Sequence, residues 1–149
     1  FINRGSIYYR KKQYELALAD LNTAIKLDAG NPESWGNRGM CYSALNQLDL
    51  AIADFTQAIK IDANYVKGYL DRAIAYNKKN QNDVALADLA QAIKINPNFA
   101  NAYIFRGAIY FDQRKYDLAK ADLEKALQLS PNNKFATDLL ARIAALPKS

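Results

Sequence analysis

Small and apolar residues recur at intervals of three and four along the chain, the spacing that lines one face of an α-helix. Trp35, Arg38, Gly39 and Tyr42 share such a face, and Ala51, Phe55, Ala58 and Ile59 share a second. Asn46 and Gln47 interrupt the pattern between them, and Asp62, Ala63 and Asn64 end the second stretch. The equivalent later breaks carry Pro97 and Pro131, which discourage continuation of the preceding helix. Asn98 and Asn132 are the expected caps of the helices that follow. The pattern thus predicts pairs of helices separated by short polar breaks.

Displacing the sequence by 34 residues aligns whole columns, the mark of an internal repeat. Tyr8, Tyr42, Tyr76 and Tyr110 form one column; Ala17, Ala51, Ala85 and Ala119 form another, as do Ala24, Ala58, Ala92 and Ala126. Phe1, Trp35, Tyr69 and Tyr103 make an aromatic column, and Gly5, Gly39 and Gly107 share one in which Ala73 is the single substitute. The small columns let the two helices of a pair approach closely, and the Tyr42 and Phe55 rings fill the space towards the next pair. One pair cannot bury its apolar faces alone, so neighbours must stack.

The period places repeats at 1–31, 32–65, 66–99 and 100–133, followed by a capping helix and tail at 134–149. Phe135, Leu139, Ile143 and Leu146 fall near one face of that last helix. The first repeat lacks its opening residues. Phe1, Ile2 and Tyr8 begin inside a helical pattern with no cap before them, so further repeats or another domain are expected to precede Phe1.

Composition narrows the functional classes. The chain has 149 residues, is half hydrophobic and carries a net charge of +5, which suits a soluble, folded chain. No apolar run approaches the roughly 20 residues of a membrane-crossing helix, and no targeting segment is visible, so the compartment is left open. With Cys41 as the only cysteine and no histidine, an internal disulfide is excluded and a zinc site of the usual ligands is disfavoured. Cys41, set between core columns, is read as a small buried residue. The chain carries no nucleophile elbow, phosphate-binding glycine loop or metal-ligand cluster. No catalytic residue, cofactor, metal or small-molecule substrate is therefore expected. Basic residues gather at Arg10, Lys11 and Lys12, at Lys78 and Lys79, and at Arg114 and Lys115. These are predicted helix ends, where the helix dipole favours cations. With no aromatic stacking platform beside them, nucleic-acid binding is disfavoured.

The run Trp35-x2-Arg38-Gly39-x2-Tyr42, then Ala51-x3-Phe55 and Ala58, closed by Pro97 and Pro131 in later copies, resembles the tetratricopeptide repeat. The resemblance covers about residues 1–133. It implies an all-α fold, an α-α superhelix of four helix-pair repeats plus a C-terminal capping helix. It also implies that first helices line a concave face that receives a peptide or helical segment of a partner protein. Self-association into a homodimer, or service as the non-catalytic arm of a larger protein, are the alternatives.

One departure from the family pattern is consistent. Arg4, Arg38, Arg72 and Arg106 stand where Leu is frequent, and Asp20, Asp54, Asp88 and Asp122 accompany them in every repeat. A charge beside core positions needs a partner, so structural Arg–Asp ion pairs between the two helices of each repeat are predicted. The resemblance assigns the groove to first-helix residues outside the packing columns. These are Asn3, Ser6 and Tyr9; Gly36, Asn37, Met40 and Ser43; Lys67, Leu70, Asp71, Ile74 and Asn77; and Asn101, Ile104, Phe105, Ala108, Phe111 and Asp112. Some of these could instead pack between helices. An asparagine offers both donor and acceptor to a peptide backbone, which makes the Asn3, Asn37 and Asp71 column notable. Members of the family that grip a terminal carboxylate do so with Lys, Asn and Arg. The matching columns here hold Ile2 and Ser6, Gly36 and Met40, and Leu70 and Ile74, so that clamp is not expected.

Overall fold

A computed structural model describes residues 1–147. Among them are nine α-helices and no strand. In chain order they are α1 (Ile2–Arg10), α2 (Tyr14–Leu27), α3 (Pro32–Ala44), α4 (Leu48–Ile61), α5 (Val66–Lys78), α6 (Asn82–Ile95), α7 (Ala100–Asp112), α8 (Tyr116–Leu129) and α9 (Lys134–Ala144). The last two residues of the expected tail, Lys148 and Ser149, lie outside the described residues. Among those described, no helix is long and apolar enough to cross a membrane. The chain divides into two compact units, residues 1–81 and a second that begins at Asn82.

The turns between paired helices are alike for a local reason. Lys12, Asn46, Asn80 and Arg114, one residue per period, adopt φ of 58°, 58°, 58° and 60°. That left-handed conformation lets the next amide fold back: Gln13 donates to the Tyr8 carbonyl at 2.9 Å and Gln47 to the Tyr42 carbonyl at 2.8 Å. Asparagine tolerates the conformation; lysine and arginine strain in it. Lys12→Asn is therefore expected to raise stability by roughly 0.5–1 kcal/mol in thermal denaturation, whereas Asn46→Lys should lower it.

The cap residues lie one position later than the sequence pattern places them. Asn31 accepts from the Glu33 amide at 2.9 Å, and Asn133, not Asn132, accepts from the Ala136 amide at 2.9 Å. Asn98 caps nothing with its side chain; its amide donates to Asn96 Oδ1 at 3.0 Å, and Phe99 precedes α7. Asp28, Asp62 and Asn96 each turn the chain by accepting an amide two residues on. That turn occupies the residues after the break and delays the helix start.

In the first unit, Ala17, Leu21 and Cys41 are fully buried together, with Tyr8, Tyr9 and Leu18 against them. Ala51, Phe55 and Ala75 form a second cluster with Met40, Tyr42 and Ile52 packed on it. Burial pushes the Cys41 thiol up to about 11, so it sits there as a small apolar group. In the second unit, Tyr103, Ile104, Leu123 and Ala126 pack with Ala136 and Leu139 of α9. The last helix thus covers the apolar flank of α7 and α8.

Candidate peptide-binding face

The first helices are fixed by their arginines. Arg38 donates from Nε and Nη2 to the two Asp54 carboxylate oxygens at 2.7 and 2.8 Å, and Arg106 reaches Asp122 at 2.7 and 2.8 Å. Arg4 reaches Asp20 with two bonds of 2.7 Å. Such forked bonds match the guanidinium plane and are among the strongest a protein makes. Asp20, Asp54, Asp88 and Asp122 are all buried. The hydrogen bonds from Arg4 hold the Asp20 carboxyl below its ordinary range. Aromatic residues sandwich the cation: Arg38 lies 5.0 Å from the Trp35 ring centre and 5.7 Å from that of Tyr42. Arg72 lies likewise over Tyr69 and Tyr76.

The arginines also tie successive repeats. Arg38 donates to Asn22 Oδ1 at 2.8 Å, and Arg72 donates to Thr56 Oγ1 at 3.0 Å. Each guanidinium therefore bonds to the second helix of the preceding repeat, and that of Arg38 bonds to two second helices at once.

The first-helix face of residues 1–81 carries two adjoining cavities. The first, of about 200 Å³, is lined by Gly5, Ser6, Tyr9, Arg10, Leu21, Asn37, Met40 and Lys67. The second, of about 180 Å³, is lined by Tyr9, Met40, Ser43, Ala44, Phe55, Asp71, Ile74 and Lys78. Tyr9 and Met40 belong to both. Asn37 donates to Ser6 Oγ at 3.2 Å, which orients its amide across α1 and α3. Both cavities are smaller than the roughly 300–1,000 Å³ of a typical small-molecule site; each has the size of a side-chain recess.

Asp71 is the unusual group of this face. It is half-buried, and burial pushes its carboxyl up to about 6 despite the opposing field of Lys67. No hydrogen bond or ion pair engages it among the described residues. A carboxyl whose pKa is higher folded than unfolded binds its proton more tightly in the folded state. The native chain is thus penalised once that proton leaves. Asp71→Asn is expected to raise stability by about 1–2 kcal/mol at about pH 8, after allowance for solvent screening. The gain should shrink as pH falls through about 6 and vanish below about pH 4. Denaturation midpoints across that range check both sign and window.

Other sequence-predicted groove residues are distributed differently. Asn3 faces a separate open cavity with Phe1, Ile2 and Asn31, so it does not join Asn37 and Asp71. Leu70 and Ile104 are both only 6% exposed, and Ile104 packs in the core of the second unit. Gly36 is buried as well: a Cβ there would stand 2.7 Å from the Tyr65 hydroxyl, so the glycine makes room for that ring. Lys67 is exposed and Asn77 half-buried. In the second unit Asn101 and Phe105 are exposed, whereas Phe111 lies under Arg142 of α9, 4.6 Å from ring centre to guanidinium, and against Tyr116. Arg10 and Lys78 line the cavities, although the sequence shows them only as helix-end cations; the columns that hold Tyr9 and Asn77 lie beside them.

Among the described residues, no group of three or more potential ligands could hold a metal ion. A tetratricopeptide repeat profile matches residues 32–65 and 100–133, and a TPR repeat profile matches residues 5–45 and 75–113.

The chain belongs to the tetratricopeptide repeat family.

Its fold is that of an all-α helical repeat protein, and the tetratricopeptide repeat is a protein-interaction fold. The first TPR of Spaghetti (RPAP3), solved bound to the HSP90 peptide SRMEEVD, is 32% identical over 78% of this chain and 93% of its own, with a TM-score of 0.74. The Arabidopsis OM64 TPR domain is 28% identical over 76% of this chain and 93% of its own, with a TM-score of 0.74. MamA, at 22% identity, covers 93% of this chain and 81% of its own with a TM-score of 0.81, a likeness of fold alone. No curated protein sequence matches this tetratricopeptide repeat chain.

Proposed function

We propose that this tetratricopeptide repeat chain is a binding module that receives a peptide segment of a partner protein, and that residues 1–81 carry the receiving face. The observation that carries the reading is the pair of adjoining recesses between α1, α3 and α5 that share Tyr9 and Met40. Apolar walls from the half-buried Met40 and Ile74 offer side-chain burial, and Asn37 offers amide groups to a backbone. The peptide-bound relative at 32% identity supports a peptide as the class of ligand. It does not carry over the acidic sequence of that peptide. The columns expected to hold a carboxylate clamp contain Ile2, Ser6, Gly36, Met40, Leu70 and Ile74, and Asp71 adds a negative group to the second recess.

The test is capture of partner proteins by the full chain and by two variants. Asn37→Ala and Met40→Ala should each weaken capture about tenfold, the scale of a central interface contact. Asn37→Ala should leave helicity and melting nearly unchanged. Met40→Ala, which also trims packing on the Phe55 cluster, should keep its helicity and lose stability by about 1 kcal/mol. Equal recovery by the parent chain and both variants would place the binding surface elsewhere.

A further inference from the structure

The second recess has a chemical asymmetry that selects among peptides. Its walls are Tyr9 from α1, Met40, Ser43 and Ala44 from α3, Phe55 from α4, and Ile74 from α5. Asp71 is set among them with no donor of the described residues engaging its carboxylate. Burying a carboxylate without a partner is unfavourable, and the same helix position holds Asn in the two preceding repeats, Asn3 and Asn37.

Resting on the reading of this face as a peptide receptor, we propose that the Asp71 recess is a specificity subsite for a lysine or arginine side chain of the bound segment. The aliphatic stem of such a residue would lie along Met40 and Ile74, its cation would meet the carboxylate, and the Tyr9 ring would flank the charge. The recess is of side-chain size, about 180 Å³.

The surrounding charges are mixed, so magnitudes decide. From α5, Lys67 faces Asp71 and Lys78 lines the same recess; from α1, Tyr9 faces it and Arg10 lines the neighbouring recess; Tyr65 faces it from the turn before α5. The thiol of Cys41 on α3 interacts with Tyr9, and α4 contributes only the Phe55 ring. Arg10, Lys67 and Lys78 are exposed, and water and salt screen them. A cation at contact distance from a desolvated carboxylate feels that one group more strongly than three screened ammonium and guanidinium groups further out. The acid therefore sets the preference at the floor, and the basic rim sets only the long-range field.

The experiment uses the full chain and four pools of end-blocked nonapeptides, degenerate except for a central arginine, lysine, norleucine or glutamate, with binding read by fluorescence polarisation. The arginine and lysine pools should bind at least about tenfold more tightly than the norleucine pool, with glutamate weakest. Asp71→Asn should erase that order, and Asp71→Glu should restore part of it. In the parent chain the arginine preference should fade as pH drops through about 6, and in Asp71→Asn it should not change with pH. Pools that bind with no preference, or with glutamate strongest, overturn the subsite and leave the receptor face standing. No binding by any pool overturns both.

Discussion

Asp54→Ala is expected to lower stability by about 3–5 kcal/mol, the cost of leaving one member of a buried ion pair alone. Asp54 is 5% exposed and takes two hydrogen bonds from Arg38. Removing it strands a guanidinium that also bonds Asn22 and lies between the Trp35 and Tyr42 rings. The loss therefore reaches α2 as well as α3 and α4. Asp117→Ala, at an exposed position, should stay within about 0.5 kcal/mol of the parent. Arg38→Lys should also destabilise, because an ammonium cannot make the forked contact. Urea denaturation of the three variants reads this directly; equal midpoints for Asp54→Ala and Asp117→Ala would show that the charge column is incidental.

Phe55→Ala should cost about 3–5 kcal/mol, since it empties the largest fully buried side chain of the described residues. Its partner across the helix pair is Gly39, where a Cβ would stand 2.7 Å from Phe55 Cε1 and 2.9 Å from Cδ1. Both are ring atoms that cannot give way alone. Gly39→Ala in the parent chain is therefore expected to destabilise, overpacking by about 1–3 kcal/mol against a helix-propensity gain near 1 kcal/mol. In the Phe55→Ala background the clash is gone, and the same substitution should stabilise by about 1 kcal/mol. The reversal of sign is the informative result. At Gly107 the facing atom is Leu123 Cγ at 3.0 Å, with the Ala119 carbonyl oxygen 3.3 Å away, so Gly107→Ala should be tolerated better. The one repeat with alanine in this column, at Ala73, has Leu89 in the ring's column, as the repeats of Gly5 and Gly107 have Leu21 and Leu123, so phenylalanine faces glycine only at Gly39.

What the sequence made legible was whatever recurs. The Ala17, Ala51, Ala85 and Ala119 column is fully buried, and the period alone identifies it because each copy meets the same packing constraint. The arginine and aspartate columns show their geometry for the same reason. Caps shifted by one residue because the turns through Asp28, Asp62 and Asn96 depend on side-chain bonds that periodicity does not encode. Leu70 and Ile104 were legible as first-helix residues but not as buried ones. Whether a residue one step off the packing face is covered depends on its flanking helices, and Phe111 is covered by Tyr116 of α8 and Arg142 of α9. The environment of Asp71 left no trace in the sequence, since Tyr9, Met40 and Phe55, which line the same recess, come from three other helices.

The receiving face itself is tested most directly by an amide-resolved NMR titration of the full chain with whichever peptide pool binds. If this face receives the peptide, shifts concentrate at Tyr9, Asn37, Met40, Asp71 and Ile74, with the amides around exposed Leu16 and Leu50 unmoved. Shifts confined to Leu16 and Leu50, with those five residues silent, would contradict it.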